Sequence, residues 1–144
     1  MITVSRRVTA GPEAVFGVLA DGWSYAGWVV GASRIRAVDP EWPAAGSRIH
    51  HSVGAWPLLV DDTTEVMRVE PGRELRLRAR AWPAGEAEVR FLLAPDGAGA
   101  TEVTLQEDAV RGPGTLLPTP LRRLVLVPRN VETLRRLAFR AEAS

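Results

Sequence analysis

The chain has 144 residues, the size of one domain, and its 46% hydrophobic and 24% charged residues are an ordinary globular balance. It has no cysteine, which excludes disulfides and thiolate metal sites. Eighteen basic residues, all arginine, against seventeen acidic ones give a formal net charge of +1. The arginines are scattered rather than run together, which argues against a nucleic-acid partner.

The opening MITVSRRVTAG lacks an apolar core segment and does not read as a signal peptide. Residues 2–9 alternate between apolar and polar, as in a half-buried strand. In AGPEAVFGVLAD, Pro12 suits a first helical turn and Glu13 the positive end of the helix dipole. Val15, Phe16 and Leu19 fall at helical spacing, so a short helix is predicted over 12–20. The aromatic stretch GWSYAGWVVG predicts one or two further helical turns around Ser24–Trp28.

The period then changes. Segments 33–38, 47–53, 58–70, 73–81, 86–94 and 101–109 read as strands, separated by DPEWPAAG, GAWP, EPGR, WPAG and PDGAGA. In EPGR, Pro71 presets the first central φ and Gly72 supplies the positive φ of a type II turn. Links this short join antiparallel neighbours in a meander. From Pro120 the pattern is helical, with an apolar stripe of Leu121, Leu124, Val125, Val131, Leu134, Leu137, Ala138 and Ala141. Arg129 and the other arginines fall on the opposite surface, and Pro128 is expected to kink or divide the helix near 124–127. The longest apolar runs, such as LVLV at 124–127, fall far short of the ~20 residues of a membrane span. A single cytoplasmic α+β domain over 1–144 is expected. It would have a curved antiparallel sheet of six to seven strands, two short helices after strand 1 and a long C-terminal helix covering one face.

VTAGPEAVFGVLADGWSYAGWVVG, EVMRVEPGRELRL and RNVETLRRLA, taken in this order, resemble the helix-grip fold of the Bet v 1-like (START-like) superfamily, and in particular the SRPBCC, polyketide cyclase/dehydrase-like proteins. The resemblance spans the whole chain. It implies a ligand cavity between sheet and C-terminal helix, and it brings no universal catalytic motif that maps onto these residues.

The polar candidates follow from strand parity. In RIHHSVGAWPLLVDD, His50 and His51 point to opposite faces, as do Asp61 and Asp62, so neither pair can ligate one metal; no metal or cofactor is expected. His51 shares a face with Ile49 and Val53 and points inward, as a general base, a hydrogen-bond partner of a ligand carbonyl, or a core histidine satisfied by a neighbour. Which aspartate faces inward is open, since a bulge would switch the parity. In RELRLRARAW, Leu75, Leu77, Ala79 and Ala81 face in and the arginines out, answered by inward Ala87, Val89, Phe91 and Leu93 and outward Glu86 and Glu88. Ala79 and Ala81 remove volume from the inner face. Glu107 shares parity with Val103 and Leu105, and a Glu107–His51 or Glu107–Arg111 arrangement could orient a polar group or neutralise buried charge. Trp23, Tyr25 and Trp28 lie in the helical connection, and Trp56 and Trp82 in loops before prolines, where they either rim a pocket or plug the ends of the sheet.

The expected ligand-binding set is therefore Trp23, Tyr25, Trp28, His51, Trp56, Leu77, Ala79, Trp82, Phe91 and Glu107. The partner is a small apolar or aromatic molecule. The alternative is an aromatase/cyclase-type enzyme in which His51, Glu107 or Tyr25 moves protons.

Overall fold

The computed structural model describes residues 1–53 and 59–143. Strand β1 (Ile2–Val8) leads into helix α1 (Pro12–Ala20), a 3-10 turn (Gly22–Ser24) and the single turn α2 (Tyr25–Trp28). Six strands follow: β2 (Ala32–Val38), β3 (Arg48–Val53), β4 (Val60–Glu70), β5 (Glu74–Ala81), β6 (Gly85–Pro95) and β7 (Thr101–Arg111). A second 3-10 turn (Pro113–Leu116) precedes the long helix α3 (Thr119–Ala143). All seven strands form one antiparallel sheet in the order β1-β7-β6-β5-β4-β3-β2, so the first strand closes onto the last.

Local chemistry explains the breaks. The Gly11 carbonyl accepts from Ala14 and Val15, starting α1 around Pro12. At Pro71–Gly72 the Arg73 amide donates to Glu70 across a turn in which Gly72 has φ +77°. In β4 the register slips between Val66 and Arg68, and Met67 is thrown outward. That bulge keeps Thr64 and Val66 inward in the first half of the strand and returns Val69 to the inner side opposite Leu75.

One cluster fills the space between sheet and helix, including Ile49, Val66, Leu75, Leu77, Phe91, Val103 and Leu105 from the strands and Leu134, Leu137, Ala138 and Ala141 from α3. The outer face carries a charge ladder: Arg48 and Arg80 on Glu65, Arg78 and Arg80 on Glu86, and Arg76 and Arg90 on Glu88.

Of the two outcomes expected at Pro128, division is ruled out, since the helix runs through it. Proline removes one backbone donor and would orphan the carbonyl four residues back, Leu124, on an exposed turn where water can serve it. The buried stripe also differs: Asn130, Thr133, Leu134, Leu137, Ala138 and Ala141 face the sheet, whereas Leu121, Leu124, Val125 and Val131 are exposed. The first turns of α3 stand clear of the core.

Two glycines make opposite predictions. Gly85 opens β6 with φ +128°, and a Cβ there would meet the Arg111 carbonyl oxygen at 2.1 Å. Gly17 lies exposed within α1 with nothing within 4 Å of its would-be Cβ. Thermal or urea unfolding should find Gly85→Ala destabilised by roughly 1–3 kcal/mol and Gly17→Ala stabilised by roughly 0.5–1 kcal/mol.

Candidate functional site

The sheet register sets a gradient of side-chain size. One transverse row runs Leu75, Phe91, Leu105 and is large. Two residues along each strand, Val66, Leu77, Val89 and Glu107 stand opposite one another. The next row is Thr64, Ala79, Ala87 and Ala109, and the last pair is Ala81 with Gly85. Side chains shrink toward the β5–β6 hairpin while α3 continues overhead, and a cavity of about 230 Å³ results. Its wall includes Val29, Ala32, Ala79, Ala87, Val89, Phe91, Leu105 and Ala109.

A contiguous polar group lines the same cavity: Tyr25, His51, Thr64, Glu107, Arg129, Asn130 and Thr133. The His51 Nε2 is 2.8 Å from the Thr64 hydroxyl, while its buried Nδ1 has no hydrogen-bond partner among the described residues. The Tyr25 ring stacks on the imidazole, with centroids 6.3 Å apart and planes inclined by 13°. On the β7 side, buried Glu107 accepts from Arg129 and, at 3.0 Å, from the Asn130 amide. Thr133 accepts from the Val30 amide at 3.2 Å, tying the segment after α2 to the helix.

The electrostatics make the two ring side chains complementary. Burial pushes the Tyr25 phenol up to about 12; hydrogen bonding with Thr64 works against the rise and the Glu107 charge adds to it. Tyr25 therefore stays protonated, a hydrogen-bond donor. Burial pulls the His51 imidazole below its ordinary 6.5, opposed by the Asp62 charge and helped by Arg36. Near neutral pH His51 is an uncharged ring.

Of the residues expected from sequence, Tyr25, His51, Ala79, Phe91 and Glu107 line the cavity. Trp28 does not: at 1% exposure it is core, edge-on to Tyr25 and Phe91, with its indole N–H donating to Ser24. Leu77 is likewise packed in the core rather than along the cavity. Trp23 is 62% exposed and points away from the cavity, because the 3-10 turn rotates it off the face that carries Tyr25. Trp82 is not a wall residue either; it is partly exposed beside Gly112, with its indole N–H donating to Glu86 at 2.9 Å. Trp56 lies outside the described residues.

The aspartates divide by role. Asp61 points outward, accepting from Ser52 and facing Arg36. Asp62 lies opposite His51 on the inner side, but its carboxylate is spent on the Thr63 and Trp82 amides. The anticipated partners of Glu107 are corrected too. Arg111 turns outward toward Glu86, and Arg129, assigned from sequence to the solvent surface, reaches Glu107 instead. Thr64, Arg129, Asn130 and Thr133 are the site residues that sequence reading missed. The signal was present in RNVET, where Asn130 and Thr133 share the helical phase of Leu134, Leu137 and Ala141. Among the described residues no group of three or more His, Cys, Asp or Glu comes together to hold a metal ion, and no helix is long and apolar enough to cross a membrane.

The depressed His51 pKa carries a sign. The unfolded chain takes up this proton near 6.5 and the folded chain only at lower pH, so stability falls as pH drops below about 6.5. Wild-type Tm should decline between about pH 7 and 5, and His51→Gln should flatten that part of the profile. Parallel profiles would remove His51 as the cause.

Residues 1–142 match the family described as "Polyketide cyclase / dehydrase and lipid transport". Among solved structures, the Zhui aromatase/cyclase from Streptomyces sp. R1128 superposes with a TM-score of 0.74 at 20% identity, over 98% of this chain and 92% of that one. A START superfamily protein from Mycobacterium smegmatis gives 0.69 at 18% identity, over 99% and 94%. The di-domain ARO/CYC StfQ of the steffimycin biosynthetic pathway gives 0.73 at 12% identity, over 99% of this chain and 51% of that one. No relative was found among curated proteins. Likeness at these identities speaks for the fold alone, but the family match covers nearly the whole sequence, and the chain belongs to the polyketide cyclase/dehydrase and lipid transport family.

Proposed function

We infer that the protein binds a small apolar or aromatic molecule, carrying at least one carbonyl or hydroxyl group, in the cavity between sheet and α3. The observation that carries this reading is the combination of an alanine-floored apolar cavity with the polar group from Tyr25 to Thr133 on its wall, apart from Arg80, Glu86 and Arg111 by the β5–β6 hairpin. Such a division, with mostly apolar area for affinity and a few placed polar groups for orientation, is what small-molecule sites have in common. At about 230 Å³ the cavity lies just below the roughly 300–1,000 Å³ usual for small-molecule sites. That suits a ligand of one or two rings, or a short acyl chain. Tyr25 supplies a donor to a ligand oxygen, and the orphan Nδ1 of His51 supplies a second polar contact whose character depends on the tautomer.

The test is native mass spectrometry of gently purified protein, with denaturing extraction of any adduct, on wild type and Ala87→Leu. A stoichiometric small molecule on wild type is expected, reduced about tenfold or more by a leucine that fills the floor. Equal occupancy in the two proteins would place the ligand elsewhere and overturn the reading.

A second reading, proton transfer of the aromatase/cyclase kind, is favoured by one atom. A buried, uncharged imidazole whose Nδ1 has no hydrogen-bond partner among the described residues, beside a protonated phenol, is a base next to an acid in the tautomer that carries its proton on Nε2. If turnover of a polyketone is detected, His51→Gln should lower kcat by about 100-fold or more with fold and binding intact. Tyr25→Phe should then lower the rate as well. Undiminished turnover in His51→Gln would leave this histidine a structural group.

A further inference from the structure

Within the polar group on the cavity wall, three side chains are joined through one hydroxyl. Thr64 is wholly buried, and its Oγ1 lies 2.8 Å from the Nε2 of His51, itself only 3% exposed. The same hydroxyl hydrogen-bonds the Tyr25 phenol, whose ring lies nearly parallel to the imidazole. Thr64 has no third hydrogen-bond partner among the described residues. All three side chains line the cavity, and the Nδ1 of His51 is buried there with no hydrogen-bond partner among the described residues.

A threonine hydroxyl has one proton to give and can accept two. That count limits how the three groups pair. In one arrangement Nε2–H donates to Thr64, Thr64 donates to Tyr25, and the phenol proton is left for the cavity. Nδ1 is then a bare acceptor. In the other, Tyr25 donates to Thr64 and Thr64 donates to Nε2, so the imidazole proton sits on Nδ1 and the phenol oxygen accepts. If both rings donated to Thr64, its own proton would be buried without an acceptor, at a cost of about 1–3 kcal/mol. Both satisfied arrangements therefore offer the cavity one donor and one acceptor, at Nδ1 and at the phenol oxygen. They differ by one step of each proton along the chain.

We propose that Thr64 couples His51 and Tyr25 into a proton relay that makes the cavity a keto–enol tautomerase for a small, uncharged ketone. This rests on the ligand-binding reading and adds to it a substrate class and a positioning residue, Thr64. In the first arrangement the Nδ1 lone pair takes a proton from the carbon beside the carbonyl. The C–H electron pair becomes the C=C bond, and the carbonyl π pair moves to oxygen, which takes the phenol proton. Thr64 passes its proton to Tyr25 and takes the one on Nε2. The products are a neutral enol and the second arrangement, so the step balances with no co-reactant. Without the relay, the same transfer would leave an imidazolium and a phenolate in a buried site that disfavours both charges. The reverse steps return the ketone, and once Nδ1–H has exchanged with water each cycle replaces a carbon-bound proton with one from solvent.

The experiment is deuterium uptake from D2O into the methylene beside the carbonyl of α-tetralone, a two-ring ketone, followed by proton NMR. Wild type should speed the exchange over buffer by about 100-fold or more. Thr64→Val keeps the shape and removes the hydroxyl, and it should lose about tenfold or more of that rate at unchanged ketone affinity. Thr64→Ser, which restores the hydroxyl, should keep most of it. Thr64→Ala takes the place of the valine variant if that one fails to fold. Exchange as fast in Thr64→Val as in wild type would make Thr64 merely structural and overturns the proposal. No exchange above buffer from wild type overturns it too, whether or not the ketone binds. Exchange that survives Ala87→Leu would take place outside the cavity and overturns it equally. A stoichiometric adduct in native mass spectrometry without ketone exchange would leave the ligand-binding reading standing and sink the relay alone.

Discussion

Much of the site depends on one buried carboxylate. Glu107 projects from β7, the strand beside the sheet's edge strand β1, into the space under α3, where an isolated charge would be strongly disfavoured. It is held by Arg129 and Asn130, both from one turn of the helix. Removing one partner of a buried, hydrogen-bonded pair costs about 3–5 kcal/mol; Arg129 is partly solvated, which puts this pair toward the lower end. The interaction therefore does more than neutralise charge. It fixes the rotation of α3 about its own axis, which turns Thr133 onto the Val30 amide and carries Leu134, Leu137 and Ala141 into the core. It also leaves Val131 and the turns before Pro128 outside the core.

With α3 fixed, the shape of the interior follows from the register. A helix of constant width crosses a sheet whose inward side chains fall from Leu75, Phe91 and Leu105 to Ala79, Ala87 and Ala109. At the large end the gap is filled, and Trp28 completes the packing edge-on to Phe91. At the small end it is not, and the cavity is the remainder. The tapering rows also explain why Gly85 and Gly112 meet there: β6 and the turn after β7 approach until only a hydrogen fits between them. Fold and cavity are thus consequences of the same pairing, not separate features.

The strand and helix order was legible because period-2 segments and their Pro/Gly punctuation are local signals. The seven strands, α1 and the Pro71–Gly72 turn fall where the pattern places them. Parity likewise placed His51, Ala79, Phe91 and Glu107 on the inner side. What parity could not supply was the partner across the interior. Pairing Glu107 with Arg129 requires knowing the rotation of α3, and an apolar-stripe reading selected Leu121, Leu124 and Val125 in place of Asn130 and Thr133. The error has a physical source: hydrophobicity marks a buried face only where burial is what the residue is for. The tryptophans divide between the alternatives left open: Trp28 is buried core, as is Trp42, with their indole N–H groups satisfied by Ser24 and the Leu19 carbonyl, while Trp23 stands in solvent.

The two ends of α3 accordingly carry different surfaces. From Asn130 onward the helix presents leucine and alanine to the sheet and arginine–glutamate pairs such as Glu132 with Arg135 and Arg136 to water. Before Pro128 it presents leucine and valine outward, with arginine as its only charge. A proline at that boundary suits the division, because the missing donor falls where the helix leaves the core and the freed carbonyl lies on an exposed turn. Exposed aliphatic area is tolerated on a soluble surface only in limited amount. Its concentration before Pro128 sets it in the same stretch that contributes Arg111, Gly114 and Arg129 to the cavity wall, so the exposed aliphatic side chains and the cavity lining alternate along one segment.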